Sequence, residues 1–206
     1  MSKNQDLRSF ISEVRELGPK FYQSVSRPVK PQYESCVIQQ KLAVQGRYPI
    51  VYFSEVLGSK QPMISNLFSS YDLLGLALGV LPGVDRSNVL KAFRDRATNP
   101  FQPVYISKNS APVREVIETG NDVDLSALPI VHHAEQDSGK YITAGVLLVK
   151  DPDSGVFNTG MYRHELKGKK ELSCMFNPAH HAAHIYRRCR DLKKQMEAVL
   201  FIGHHP

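Results

Sequence analysis

The chain has 206 residues, long enough to bury a substantial core as one large or two small domains. Apolar content of 42% beside 22% charged residues is that of an ordinary globular protein, and no apolar run approaches the length needed to span a bilayer. The net charge of +6 suits an acidic or phosphate-bearing ligand, but it is modest and spread along the chain and so is weak evidence for nucleic acid.

Met1-Ser2-Lys3-Asn4-Gln5-Asp6 lacks the apolar centre of a signal peptide, so a cytoplasmic protein is the default expectation. In DLRSFISEVREL, Leu7, Phe10, Ile11, Val14 and Leu17 recur at helical spacing before a Gly18-Pro19 stop. FYQSVSRPVKP, with two prolines, reads as an edge strand or extended linker. PQYESCVIQQKLAVQG reads as a second helix, opened by Pro31 and closed by Gly46. YPIVYFSEV and PMISNLFSS are paired strands. SYDLLGLALGV and SNVLKAFRDRA are helices opened by serine caps and separated by Leu81-Pro82-Gly83.

Residues 99 to 140 are richer in Pro, Ser, Asn and Asp, and the lobe boundary falls within them; we take residues 1–110 as an α/β N-terminal lobe and 111–206 as a second unit. From Tyr141 to Pro206 the pattern is strand, Asp-Pro-Asp-Ser-Gly turn, strand, Lys-Gly-Lys-Lys turn, short strand, helix, strand. The fold class expected is α+β. Cys36, Cys174 and Cys189 are odd in number and widely spaced, so they are read as buried or incidental thiols.

Two residues of the last stretch stand out. Asn158 is a poor β-former in mid-strand, and His181 opens a helix behind Asn177-Pro178. With Arg163, a strand amide and an imidazole at a helix N-terminus can hold an anionic phosphate and a divalent ion. Strict alternation puts Asn158 and Arg163 on opposite strand faces, so a shared ligand requires the strand to bulge or end between them, which Gly160 permits.

His180-His181-Ala182-Ala183-His184 lacks the glutamate that a zinc protease needs beside its first histidine. The plainer reading has one histidine capping the helix, one facing solvent and His184 packing. Arg187, Arg188, Arg190, Lys193 and Lys194 read as a solvated face, and His132, His133, His204 and His205 as loop histidines.

The ordered set DLRSFISEV, DLSALPIVHH, DSGKYITAGVLLVKDPDSGVFNTGMYRHEL, AHHAAHIYRR and VLFIGHHP resembles the UbiD family of reversible decarboxylases, which use prenylated flavin mononucleotide. The resemblance implies an α/β N-terminal lobe followed by part of a split β-barrel like that of flavin reductases. It implies that Asn158 and His181, or His180 with one shift, ligate manganese, with a potassium ion nearby. Asn158, Thr159, Gly160, Met161, Tyr162, Arg163, His180 and His181 would contact the cofactor, and Arg163 would be the arginine of the family's Glu-Arg-Glu network.

Family members continue beyond the point matching Pro206, where the metal-ligand glutamate and both network glutamates lie. The rest of a longer polypeptide or a second chain would complete the site; a shortened homologue that no longer catalyses is the other possibility. The function implied is decarboxylation of an aromatic, heteroaromatic or α,β-unsaturated acid, in a homo-oligomer loaded by a flavin prenyltransferase. A non-catalytic flavin-binding or assembly subunit is the alternative.

Overall fold

The computed structural model describes residues 6–206; Met1 to Gln5, which bear on the signal-peptide reading, lie outside the described residues. The first helix, α1 (Leu7–Glu16), starts where the Asp6 carboxylate accepts the Ser9 amide at 2.8 Å and buries Phe10 and Val14. A three-stranded sheet follows, in the order β1 (Tyr22–Val25), β2 (Ile50–Phe53), β3 (Met63–Ser65). β1 runs parallel to β2, which requires a crossover, and α2 (Glu34–Val44) supplies it; β3 returns antiparallel. α3 (Tyr71–Ala77) and α4 (Arg86–Thr98) complete this half.

Central β2 is covered on both faces. Val51 and Phe53 pack with Leu42 and Ile38 of α2, while Ile50 packs with Phe10, Val14 and Leu73 of α1 and α3. Alternation along the strand therefore feeds two cores, and Ile50, Val51 and Phe53 are all fully buried.

Two helix starts differ from expectation. α2 begins at Glu34, not at Pro31, because the preceding segment is held extended: Gln32 bridges His132, the Tyr33 amide donates to the His132 carbonyl at 2.9 Å, and the His132 amide donates to the Pro31 carbonyl at 2.9 Å. These bonds tie the two halves together. α4 is capped by Asp85, whose carboxylate accepts the Ser87 amide at 2.7 Å, so Ser87 lies inside the helix.

Between α4 and Tyr141 the described chain has only short 3₁₀ turns, anchored by the Leu125 amide donating to the Lys169 carbonyl and the Ser59 hydroxyl to the Ala127 carbonyl, both at 2.8 Å. Beyond it lie two three-stranded antiparallel sheets. One is ordered β4 (Tyr141–Ile142), β7 (His164–Leu166), β8 (Leu172–Cys174). The other is ordered β6 (Phe157–Met161), β5 (Val146–Lys150), β9 (Ala198–Phe201), and α5 (His181–Asp191) packs on it through Ala182, Ile185 and Cys189 against Leu147 and Val149.

The two long strands expected from Tyr141 to Leu166 are each split. The first breaks at Thr143–Gly145 and the second at Tyr162–Arg163, so that both change sheets, as strands do at barrel corners. Gly145 leaves room there: a Cβ would come within 2.7 Å of a Leu200 methyl and 3.2 Å of an Ile142 methyl, so those side chains would have to shift. The architecture is α+β, and all three cysteines are free thiols.

Candidate functional site

The register of β5 and β6 decides what Asn158 faces. Asn158 is opposite Val149 and Gly160 opposite Leu147, and cross-strand partners share a face. Val149 and Leu147 are the residues that pack on α5, so Asn158 points to the α5 side of the sheet. There Asn158, Thr159, Gly160, Met161, Tyr162, Ala179, His180 and His181 line one open cleft of about 320 Å³. Seven of the eight residues singled out from the sequence thus meet in one place.

The helix end of the cleft offers backbone donors. The Ala179 amide is satisfied by the Asn177 side chain at 3.0 Å, and the amides of Ala183 and His184 return to the His180 carbonyl. Those of His181 and Ala182 find no acceptor among the described residues, and they sit at the positive end of an 11-residue helix. Such a terminus can receive a phosphate. His180 occupies the cap position without a side-chain capping bond; its ring instead packs at 5.4 Å on Tyr162, which meets Phe176 edge-on at 5.2 Å. Gly160 makes room for this row, since a Cβ there would fall 2.6–2.8 Å from the Tyr162 ring.

Arg163 stands apart from the cleft lining. It lies between β6 and β7, so the strand does end between it and Asn158, at Met161 rather than at Gly160. Its Nη2 donates to Asp137 Oδ1 at 2.8 Å, and its guanidinium lies 4.1 Å over the Tyr141 ring. The Arg163 guanidinium holds the Asp137 carboxyl below its usual range, and Asp137 in turn raises the Arg163 pKa. Sequence reasoning missed Asp137 and Tyr141. A turn acid 26 residues before its partner leaves no periodic signal; only the turn formers Asp137-Ser138-Gly139 mark the place.

The other candidates separate. His184 is exposed, contrary to the packing role expected for it, because Ala183 and Ile185 take the buried positions beside it. Arg188 is paired with Asp153, its Nη2 donating at 3.0 Å, and Arg187 donates to the Pro178 carbonyl at 3.0 Å, so the basic helix face is partly neutralised. His132 hydrogen-bonds the Asp137 carbonyl at 2.9 Å, and His205 packs on Phe10.

Asn158 and His181 are neutral donors, and among the described residues no three His, Cys, Asp or Glu side chains gather closely enough to hold a metal. The pair fits a hard divalent ion only within a larger shell that includes phosphate oxygens and an acid from outside these residues. Among the described residues no helix is long and apolar enough to cross a membrane.

Residues 22–97 match the family model described as the 3-octaprenyl-4-hydroxybenzoate carboxy-lyase N-terminal domain, and residues 104–206 match the Rift-related domain of the same carboxy-lyase. The chain belongs to the UbiD family. Among curated relatives, anhydromevalonate phosphate decarboxylase of Methanosarcina mazei is 30% identical over 199 residues, covering 97% of this chain and 42% of that protein. An evolved dimeric form of the UbiD-class enzyme HmfF from Pelotomaculum thermopropionicum, solved in complex with prFMN, superposes with a TM-score of 0.88 at 28% identity over 98% of this chain and 45% of that one. Vanillic acid decarboxylase of Sedimentibacter hydroxybenzoicus shares the fold, with a TM-score of 0.91 at 23% identity over 100% and 44%. The chain spans less than half the length of these proteins.

Proposed function

We propose that this chain builds the first part of a decarboxylase using prenylated flavin mononucleotide, and that the rest of the same polypeptide or a second chain completes it. The observation that carries the reading is the cleft that joins β6 to the α5 N-terminus, in a chain that superposes on a structure holding prFMN.

When bound, the prenylated flavin supplies an electron sink for loss of carbon dioxide from an aromatic, heteroaromatic or α,β-unsaturated carboxylic acid. This chain's residues do the holding. The His181 and Ala182 amides, without an acceptor among the described residues, would hold the flavin phosphate, Asn158 and His181 would ligate manganese, and the backbone from Thr159 to Tyr162 would contact the cofactor. A potassium ion belongs to the same reading. Arg163, a planar and permanently charged fork, orients the substrate carboxylate. A glutamate from outside these residues moves the proton. Cofactor supply by a flavin prenyltransferase, self-association and a cytoplasmic location complete the proposal; one structural neighbour is described as a dimeric form.

The test uses the full-length protein made together with a flavin prenyltransferase. Native mass spectrometry and elemental analysis should find prenylated flavin and manganese, and Asn158→Ala or His181→Ala should weaken metal retention at least tenfold, about 1.4 kcal/mol. Arg163→Ala should keep the flavin and lose decarboxylation of the wild-type substrate. Retained turnover in Arg163→Ala, or undiminished metal in both ligand variants, would refute the roles assigned.

A further inference from the structure

Arg163 is a long side chain at a crossing between two sheets, where no ladder partner fixes it, and 55% of its side chain is exposed. A free arginine in such a place has to lose its rotamer freedom each time it meets a ligand. Here that freedom is already removed. Asp137 accepts from Nη2 at 2.8 Å, and the Tyr141 ring supports the guanidinium at 4.1 Å.

The holder is itself held. The second Asp137 oxygen accepts the Ala134 amide at 3.2 Å, the Asp137 amide donates to the Ala134 carbonyl at 3.1 Å, and the Asp137 carbonyl meets the His132 ring at 2.9 Å. Tyr141 is fixed through its hydroxyl, 2.6 Å from Ser138 Oγ. His132 is in turn one of the residues that tie the second half to Pro31 and Tyr33.

Guanidinium geometry says what remains free. Nη2 carries two hydrogens, one on each of the edges it shares, so a single bond to Asp137 occupies one edge and leaves another complete. Nε and Nη1 have no partner among the described residues. We propose that Asp137 is a positioning residue: with Tyr141 beneath, it presents the open edge of Arg163 to the carboxylate of the substrate. The inference rests on the decarboxylase reading and adds to it the device that orients Arg163.

Phenylglyoxal labelling of Arg163 in the full-length flavin-loaded protein, followed by peptide mass spectrometry, reads the clamp without turnover. In the wild type, benzoate and cinnamate as carboxylate probes should slow the labelling. Asp137→Asn should label at least threefold faster and lose most of that protection, while flavin content stays unchanged; Asp137→Glu should restore part of the protection. If Asp137→Asn loosens its turn and lowers the melting temperature, Tyr141→Leu, which leaves the acid in place, should show the same faster labelling. Equal rates and equal protection in the wild type and Asp137→Asn would overturn the proposal. Faster labelling in Asp137→Asn with no protection by either probe in the wild type would uphold the clamp and overturn its carboxylate-presenting role. A failure of the decarboxylase reading shows separately, as wild-type full-length protein that retains no prenylated flavin when made with the prenyltransferase.

Discussion

Strands β2 and β6 are nearly equal in length and opposite in construction. β2 is the centre of its sheet, with Ile50, Val51 and Phe53 fully buried between helices on both faces. β6 is an edge strand on which no residue is fully buried, and Phe157 and Met161 stand exposed at 62% and 59%. The first strand is placed where side chains fill volume; the second turns Asn158 and Gly160 toward α5 and leaves Phe157 and Met161 exposed. Stability and ligand contact are thus assigned to different sheets, and a substitution in one should read out differently from a substitution in the other.

The largest separation should come from a pair of phenylalanines in the full-length protein. Phe53→Ala removes a fully buried ring and should cost about 3–5 kcal/mol in chemical denaturation. Phe157→Ala removes an exposed ring over which Lys150 lies at 5.5 Å, and should cost about 0.5 kcal/mol or less. Comparable losses would mean that β6 is covered in the complete protein and that the contrast belongs to this part of the chain alone.

Gly160 tests the same contrast from within β6. An alanine Cβ would lie 2.6–2.8 Å from the Tyr162 hydroxyl and ring, so the Tyr162 side chain must shift within the row it forms with His180. Overpacking of this kind costs about 1–3 kcal/mol, yet the sharper effect should be on flavin retention, because Tyr162 and His180 both line the cleft. Gly160→Ala with unchanged flavin content would show that the aromatic row is packing only.

How much of this was legible follows from where each signal lies. Local grammar marked the α1 start at Asp6, the Ser70 cap of α3 and the β2–β3 pair, because caps and alternation act within a few residues. The first strand break was not legible, and the second only as the condition for Asn158 and Arg163 to share a ligand. YITAGVLLVK is a continuous β-forming run, and the approach of Leu200 to Gly145 comes from β9, far along the chain. The α2 start was missed for a similar reason, since Pro31 is occupied by a bond from His132 a hundred residues on. Asn158, His181 and Arg163 could be singled out because motif order along the chain points to them, and the first two line one cleft. Asp137 could not be, because its partner is set by the sheet crossing rather than by spacing.

The smallest predicted effect concerns β7, which adjoins the Arg163 corner. His164 is 3% exposed with neither ring nitrogen hydrogen-bonded, and burial pushes its pKa down; His133, with its buried Nδ1 also unpartnered, is shifted the same way chiefly by burial. For a base with a depressed folded pKa, the unfolded chain takes the proton first as the pH falls. Stability is therefore full above the unfolded histidine value of about 6.5 and declines below it, until the folded pKa is passed. His164→Leu, close in size and without the orphaned nitrogens, should leave stability within about 1 kcal/mol at neutral pH. It should also remove up to one proton's slope, about 1.4 kcal/mol per pH unit, from the acid limb of a denaturation series. An acid limb unchanged in His164→Leu would assign the decline to His133 and the carboxylates, and would mean that His164, for all its burial, takes up its proton as readily folded as unfolded.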